Sequence, residues 1–133
     1  MATMQVELVS PERVIFSGEA TQVITRTLGG GEIAVLPGHA PFLGALDHCH
    51  TRVTLADGTQ LDVAVHGGFV QVNGNVVSIL SDMAELSSEI DRERALQAKA
   101  RAENVLRDEH SAETIAAVSR ANARLVATGG YGG

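Results

Sequence analysis

Arg94 and Arg101 stand seven residues apart in a stretch without Gly or Pro, and Arg120 and Arg124 stand four apart further along it. On a helix each pair shares a face. Asp91 precedes the first pair. Guanidinium groups present forked donors that match phosphate oxygens. Two helices folded back as a hairpin would gather all four guanidiniums at its open edge. The competing reading is four solvated ion-pairing residues, each worth under about 1 kcal/mol. Spacing by itself weighs toward the second.

His48-Cys49-His50 is the other run with chemical character. On a strand the two imidazoles point one way and the thiol the other. Zinc needs three or four convergent ligands, and Cys49 is the only cysteine of the chain. The run therefore reads as surface strand residues, with no metal site. No serine lies in a Gly-x-Ser-x-Gly elbow. Gly29-Gly30-Gly31 is followed by a strand pattern and no Lys-Ser/Thr, so it is not a phosphate loop. Catalysis by this chain alone is not expected.

The elements that must position these residues fall into two regions. Up to Leu80 the pattern is of short strands. Gln5–Val9 alternates and ends before Pro11; residues 13–16 form a second strand closed by Ser17-Gly18; Thr21–Thr27 is rich in β-branched residues. The apolar run Ile33-Ala34-Val35-Leu36 ends in Pro37-Gly38-His39-Ala40-Pro41, and the strand pattern restarts near Phe42. Pro37 removes a ladder donor, Gly38 is free to take positive φ, and Pro41 holds Ala40 extended. His39 is thus at the tip of a rigid turn. Asp57-Gly58 and Asn73-Gly74 are hairpin signals, read as turns with positive φ at both central positions. Eight or nine strands at this spacing predict an antiparallel β-sandwich or flattened barrel over residues 1–87.

The period changes near Ser87. No Gly or Pro occurs from there to Val126. Asp91 or Ser88 caps a first helix with the stripe Ala95, Ala98, Ala102, Val105. Asp108-Glu109-His110-Ser111 breaks it, and Ser111 caps a second helix with the stripe Ala112, Ile115, Ala116, Ser119, Ala123, Val126. Gly129-Gly130 ends that helix, and Tyr131 lies in a glycine-rich tail. Residues 88–133 therefore form an antiparallel two-helix hairpin. Its Ala-rich stripes bury little area, so at about 25 cal/mol per Å² docking is worth only a few kcal/mol and is reversible.

Composition bounds the partners. Of 133 residues 44% are apolar but only 3% aromatic, so the core is built from Val, Ile, Leu and Ala. The net charge of −6 lies entirely in residues 1–87, which carry three Arg against nine acids. An acidic body without a basic stripe argues against nucleic acid. A single cysteine suits a reducing compartment. The first residues lack the features of a signal peptide, and no apolar run approaches the ~18 residues of a membrane span.

Three blocks carry a resemblance. Gly31-Glu32-Ile33 with Leu36-Pro37-Gly38-His39-Ala40-Pro41 resembles the signature loop of the ε subunit of bacterial and chloroplast F-type ATP synthases. Gly67-Gly68-Phe69-Val70-Gln71-Val72 followed by residues 76–85, and Ile90-Asp91-Arg92-Glu93-Arg94-Ala95, are similar to the same family in order and spacing. Asp47-His48-Cys49-His50 departs from it, since members of the family usually have a Gly near this turn.

The resemblance implies a non-catalytic central-stalk subunit whose sandwich grips the γ subunit and rests on the membrane ring of c subunits. Glu32 and His39 would face the ring. The hairpin would lie folded on the sandwich, permitting ATP hydrolysis, or extend along γ into the catalytic α/β head and block it. The protein would sit peripherally on the cytoplasmic face of the bacterial plasma membrane. Some members bind a regulatory ATP; the matching positions are Glu85, Ile90, Asp91, Arg94, Ala95, Arg101, Arg120 and Arg124. No cofactor is required. Two other classes remain: a free-standing β-sandwich binding module with a helical tail, and a small metal-dependent enzyme built on His48-Cys49-His50.

Overall fold

The computed structural model of the chain describes residues 2–108 and 111–128. Nine strands are followed by two helices: β1 Met4–Val9, β2 Val14–Thr27, β3 Gly31–Val35, β4 Phe42–Ala45, β5 His48–Leu55, β6 Gln60–His66, β7 Phe69–Asn73, β8 Val76–Leu80, β9 Ala84–Leu86, α1 Arg92–Asp108 and α2 Ala112–Ala127. The strands run in the order β4-β7-β8-β1-β2-β5-β6-β9, with β3 added on β2. All pairings are antiparallel except β1 with β8. The sandwich is open, and Val6, Leu8, Val23, Val53, Val63, Val65, Val70, Val77 and Ile79 fill its core.

Three local expectations are corrected. Residues 13–16 and 21–27 do not form separate strands, because Ser17 and Gly18 stay in the ladder opposite Glu7 and Val6. The Phe16 ring lies over Gly18, where a Cβ would sit 3.1 Å from Phe16 Cζ. That covering role explains a glycine inside a strand. Asp57 and Asn73 do not take positive φ; only Gly58 (φ 89°) and Gly74 (φ 62°) do. The Asp57 carboxylate instead accepts from the Thr59 amide at 2.8 Å, favouring a longer turn with glycine alone in the left-handed region. Finally, β9 pairs with β6 and extends the sheet past Leu80.

The turn around His39 forms as expected. Gly38 has φ 86°, and the His39 amide donates to the Leu36 carbonyl at 3.0 Å. Asp91 rather than Ser88 caps α1: its carboxylate accepts from the Arg94 amide at 3.0 Å. Ser88 lies in a short 3₁₀ turn, Ser87–Glu89. Ser111 caps α2 in a reciprocal box with Thr114. The loop at Glu109-His110, the Gly129-Gly130 stop and the Tyr131 tail lie outside the described residues.

The helices form a hairpin in which α2 lies on β5 and β6 and α1 lies on α2. The buried face differs from the expected stripes. Ala95, Ala102 and Ala123 are buried, but Val105 and Ile115 are exposed, and Ala121, Leu125 and Ala127 are buried instead. The C-terminal half of α2 is covered on two sides, by α1 and by the sheet, so a single stripe does not describe it. No described helix is long and apolar enough to cross a membrane.

Candidate functional site

On the outer face of β5 and β6 the alternation of each strand sets out a polar surface. His48, His50 and Arg52 project from β5, opposite His66, Ala64 and Asp62 on β6. Cys49 points into the core, near the Thr25 and Thr51 hydroxyls. Asp62 accepts from Arg52 Nε at 2.9 Å and pairs with His50 Nε2 at 2.6 Å. Burial pushes the Asp62 carboxyl up, but these two bonds outweigh it and hold the group below its ordinary range.

At the other end of that face, β6, β9 and α2 meet. Glu85 Oε1 lies 2.9 Å from His66 Nε2 and 2.7 Å from Arg124 Nε. One carboxylate oxygen thus ties the sandwich to the second helix. His66 is 4% exposed, and its ring centroid lies 5.6 Å from that of His48. Nδ1 of both rings is buried without a hydrogen-bond partner among the described residues. Burial lowers the pKa of both histidines. The Arg120 charge adds to this at His48, against Asp47 and Asp82; at His66 the Glu85 bond opposes it and Arg124 reinforces it.

The remaining predicted residues lie along the hairpin. Asp91, Arg94 and Arg101, with Glu93 and Gln97, line a shallow hollow of about 400 Å³ on α1. Ala95 is buried and does not line it, and Ile90 closes the 3₁₀ turn through a bond to the Ser87 carbonyl at 3.2 Å. Arg120 Nη2 bonds Glu113 at 3.1 Å. Arg94 and Arg101 therefore border the hollow, while Arg120 and Arg124 are engaged by Glu113 and Glu85. At the hairpin's open end Arg92 Nη1 donates to Thr128 Oγ1 at 2.9 Å. A groove of about 580 Å³ runs between hairpin and sheet, lined in part by Arg26, Glu32, His48, Lys99 and Asn122.

Glu32 is exposed on β3, opposite Arg26. His39 is half-buried; its Nδ1 lies 2.7 Å from the Ala40 carbonyl and its ring meets Phe42 edge-on. Sequence reasoning missed two features. One is His66, which lies on the outer face of β6 where α2 packs on that strand. The other is an apolar outer face on β4, β7 and β8, where Phe69 stands opposite Leu80, with Leu43 and Val76 on the same side. These four are 42–69% exposed. The alternation of Phe69-Val70-Gln71-Val72 was the available signal, since turning Val70 and Val72 inward leaves Phe69 outward.

The family "ATP synthase, Delta/Epsilon chain, beta-sandwich domain" matches residues 3–87. The ATP synthase epsilon chain of Streptomyces avermitilis is 46% identical over 94 residues, covering 71% of this chain and 75% of that one. The epsilon chain of Brevibacillus brevis is 42% identical over 111 residues, covering 84% and 83%. A chain in the cryo-EM structure of Euglena gracilis mitochondrial ATP synthase (OSCP/F1/c-ring, rotational state 1) superposes with a TM-score of 0.84 at 25% identity, over 96% of this chain and 82% of that one. A nine-stranded open sandwich, a docked two-helix hairpin and these matches agree: the chain belongs to the epsilon subunits of F-type ATP synthase.

Proposed function

We propose that the chain is a non-catalytic rotor subunit of the central stalk, linking γ and the c ring to the catalytic head and restraining ATP hydrolysis through its hairpin. The observation that carries the reading is the way the hairpin is held. Its contact with the sandwich is a polar face of histidines and acids, joined to α2 by the Arg124–Glu85 pair, and small residues make up most of its buried side chains. Such an interface separates without exposing a large apolar core, so a folded and an extended hairpin differ by only a few kcal/mol. The apolar face of Phe69, Leu80, Leu43 and Val76 suits a permanent partner, γ or the ring, and Glu32 and His39 serve the ring-facing loop. In this reading the subunit is peripheral, on the cytoplasmic face of the bacterial plasma membrane.

ATP is the proposed regulatory ligand. Asp91, Arg94 and Arg101 surround the hollow on α1, and Glu85, Ile90, Ala95, Arg120 and Arg124 complete the set. A nucleotide that touches both helices favours the folded hairpin only by its differential affinity. At a hundredfold excess over Kd that amounts to about 2.7 kcal/mol, comparable with the docking itself.

The test is ATP hydrolysis by an epsilon-depleted catalytic head, with the full chain added back or a chain ending at Ser87. Inhibition by the full chain alone supports the reading. Equal effects of both would leave the hairpin without an inhibitory role, and no binding by either would remove the central-stalk assignment. For ATP, Arg120→Ala with Arg124→Ala should weaken nucleotide binding at least tenfold; unchanged affinity would place the nucleotide elsewhere.

A further inference from the structure

We propose that His66, buried under α2, and His48, half-buried beside it, form a pH-sensitive clasp: protonation of the pair releases the helical hairpin from the sandwich. The inference rests on the hairpin being separable, as proposed above, and adds the group that controls separation.

The geometry sets the tautomer of the neutral His66 ring in the docked form. His66 Nε2 faces the Glu85 carboxylate at 2.9 Å, so it carries the hydrogen and donates. Nδ1 is then the bare nitrogen, and it is buried without an acceptor. A second proton must go there and would find no partner. His48, 5.6 Å away between ring centroids, has a buried Nδ1 in the same condition. A charge on either ring is therefore desolvated and unpaired on that side.

The surrounding positive charges act in the same direction as burial. From α2, Arg124 approaches His66 through Glu85, and Arg120 raises the positive potential at His48. Lys99 of α1 and Arg26 of β2 line the groove that His48 borders. Opposing them are Glu85, already shared between His66 and Arg124, Asp47 and Asp82 near His48, and Glu32 across the groove. His50, also on the groove, is engaged by Asp62. Burial and the arginines together lower both histidine pKa values below 6.5.

The sign follows. When α2 leaves, the rings face water and regain an ordinary pKa of about 6.5. The docked state then binds fewer protons than the released one. Docking is complete above about pH 6.5 and is lost as pH falls through the lowered docked values.

Nitrogen-15 NMR of the full chain, titrated from pH 7.5 to 5.0, tests this by following the α2 amides and the histidine ring protons together. The expected result is loss of the docked α2 signals below pH 6.5, in step with titration of His66. His48→Gln with His66→Gln keeps a donor for Glu85 but cannot titrate, and should stay docked to about pH 4, where carboxylates in general take up protons. Arg120→Gln, which removes one repelling charge, should shift release to lower pH; it serves as well should the double variant fail to fold. Wild-type docking that persists to pH 5.0, or variants that release at the wild-type pH, would overturn the clasp. Arg124→Ala at pH 7.5 separates the two ideas. Release there with no wild-type titration removes the clasp alone, whereas docking in every variant and at every pH removes hairpin separation as well.

Discussion

Arg124 Nε and Glu85 Oε1 lie 2.7 Å apart and are 39 residues apart in sequence, and the same oxygen holds His66 Nε2 at 2.9 Å. The three groups come from α2, β9 and β6, so removing different members has unequal consequences. Arg124→Ala leaves Glu85 with one partner and should cost about 1–2 kcal/mol of docking. Glu85→Ala strands both the arginine and a buried imidazole N–H, and should cost more, about 2–4 kcal/mol. A double-mutant cycle read by hydrogen exchange in α2 should return a coupling of about 1–3 kcal/mol. Equal single costs would mean that His66 finds another partner.

Asp91 has two separable duties. Its carboxylate caps α1 by accepting from the Arg94 amide at 3.0 Å, and it borders the hollow with Arg94 and Arg101. Asp91→Ala should lower α1 stability by about 1 kcal/mol, whereas Asp91→Asn retains the cap and should cost only a few tenths. If the carboxylate also contributes to nucleotide binding, both variants lose ATP affinity although only one loses the cap. Circular dichroism against ATP titration distinguishes the two effects.

Much of this architecture was legible before the structure, and the misses share a cause. The rigid turn from Leu36 to Pro41, the Ser111 cap and the change of period at Ser87 are local: glycine, proline and capping side chains act over a few residues. The sequence pattern could not show that β2 is one strand of 14 residues, because Ser17 and Gly18 are held there by β1. Nor could it show that Ala64 and His66 are buried on the outer face of β6, since α2 covers them from 50 residues away. The Glu85–Arg124 contact is of the same kind. Family resemblance pointed to both residues, but only the fold shows that they meet on a histidine.

Gly68 illustrates how strict one such position is. It has φ 109°, and a Cβ there would fall 2.0 Å from the Leu80 carbonyl oxygen, where β7 begins beside the end of β8. Gly68→Ala must both strain the backbone and push two chain segments apart, so it should destabilise the sandwich by about 3 kcal/mol or more. Gly74, with φ 62° and nothing within 4 Å of its Cβ position, is a control that isolates the backbone effect. Gly74→Ala should cost about 1 kcal/mol. The difference should appear as a shift in urea midpoint at unchanged slope.

Asp62 gives the sandwich an acid sensitivity distinct from that of the hairpin. Burial pushes its carboxyl up, but bonds from Arg52 and His50 outweigh that and hold it below the ordinary aspartate value. A carboxylate with a lowered folded pKa stabilises the fold fully above its unfolded value, and that contribution disappears as pH falls through the folded value. Asp62→Asn should therefore lower sandwich stability at pH 7 yet leave it less dependent on pH below about 4. The wild-type and variant curves of stability against pH should converge on acidification. Urea denaturation at pH 7, 5, 4 and 3, monitored on β5 and β6 by hydrogen exchange, measures this directly. Curves that stay parallel throughout would mean that Asp62 acts by packing alone, and that Arg52 and His50 contribute through their stems rather than through these bonds.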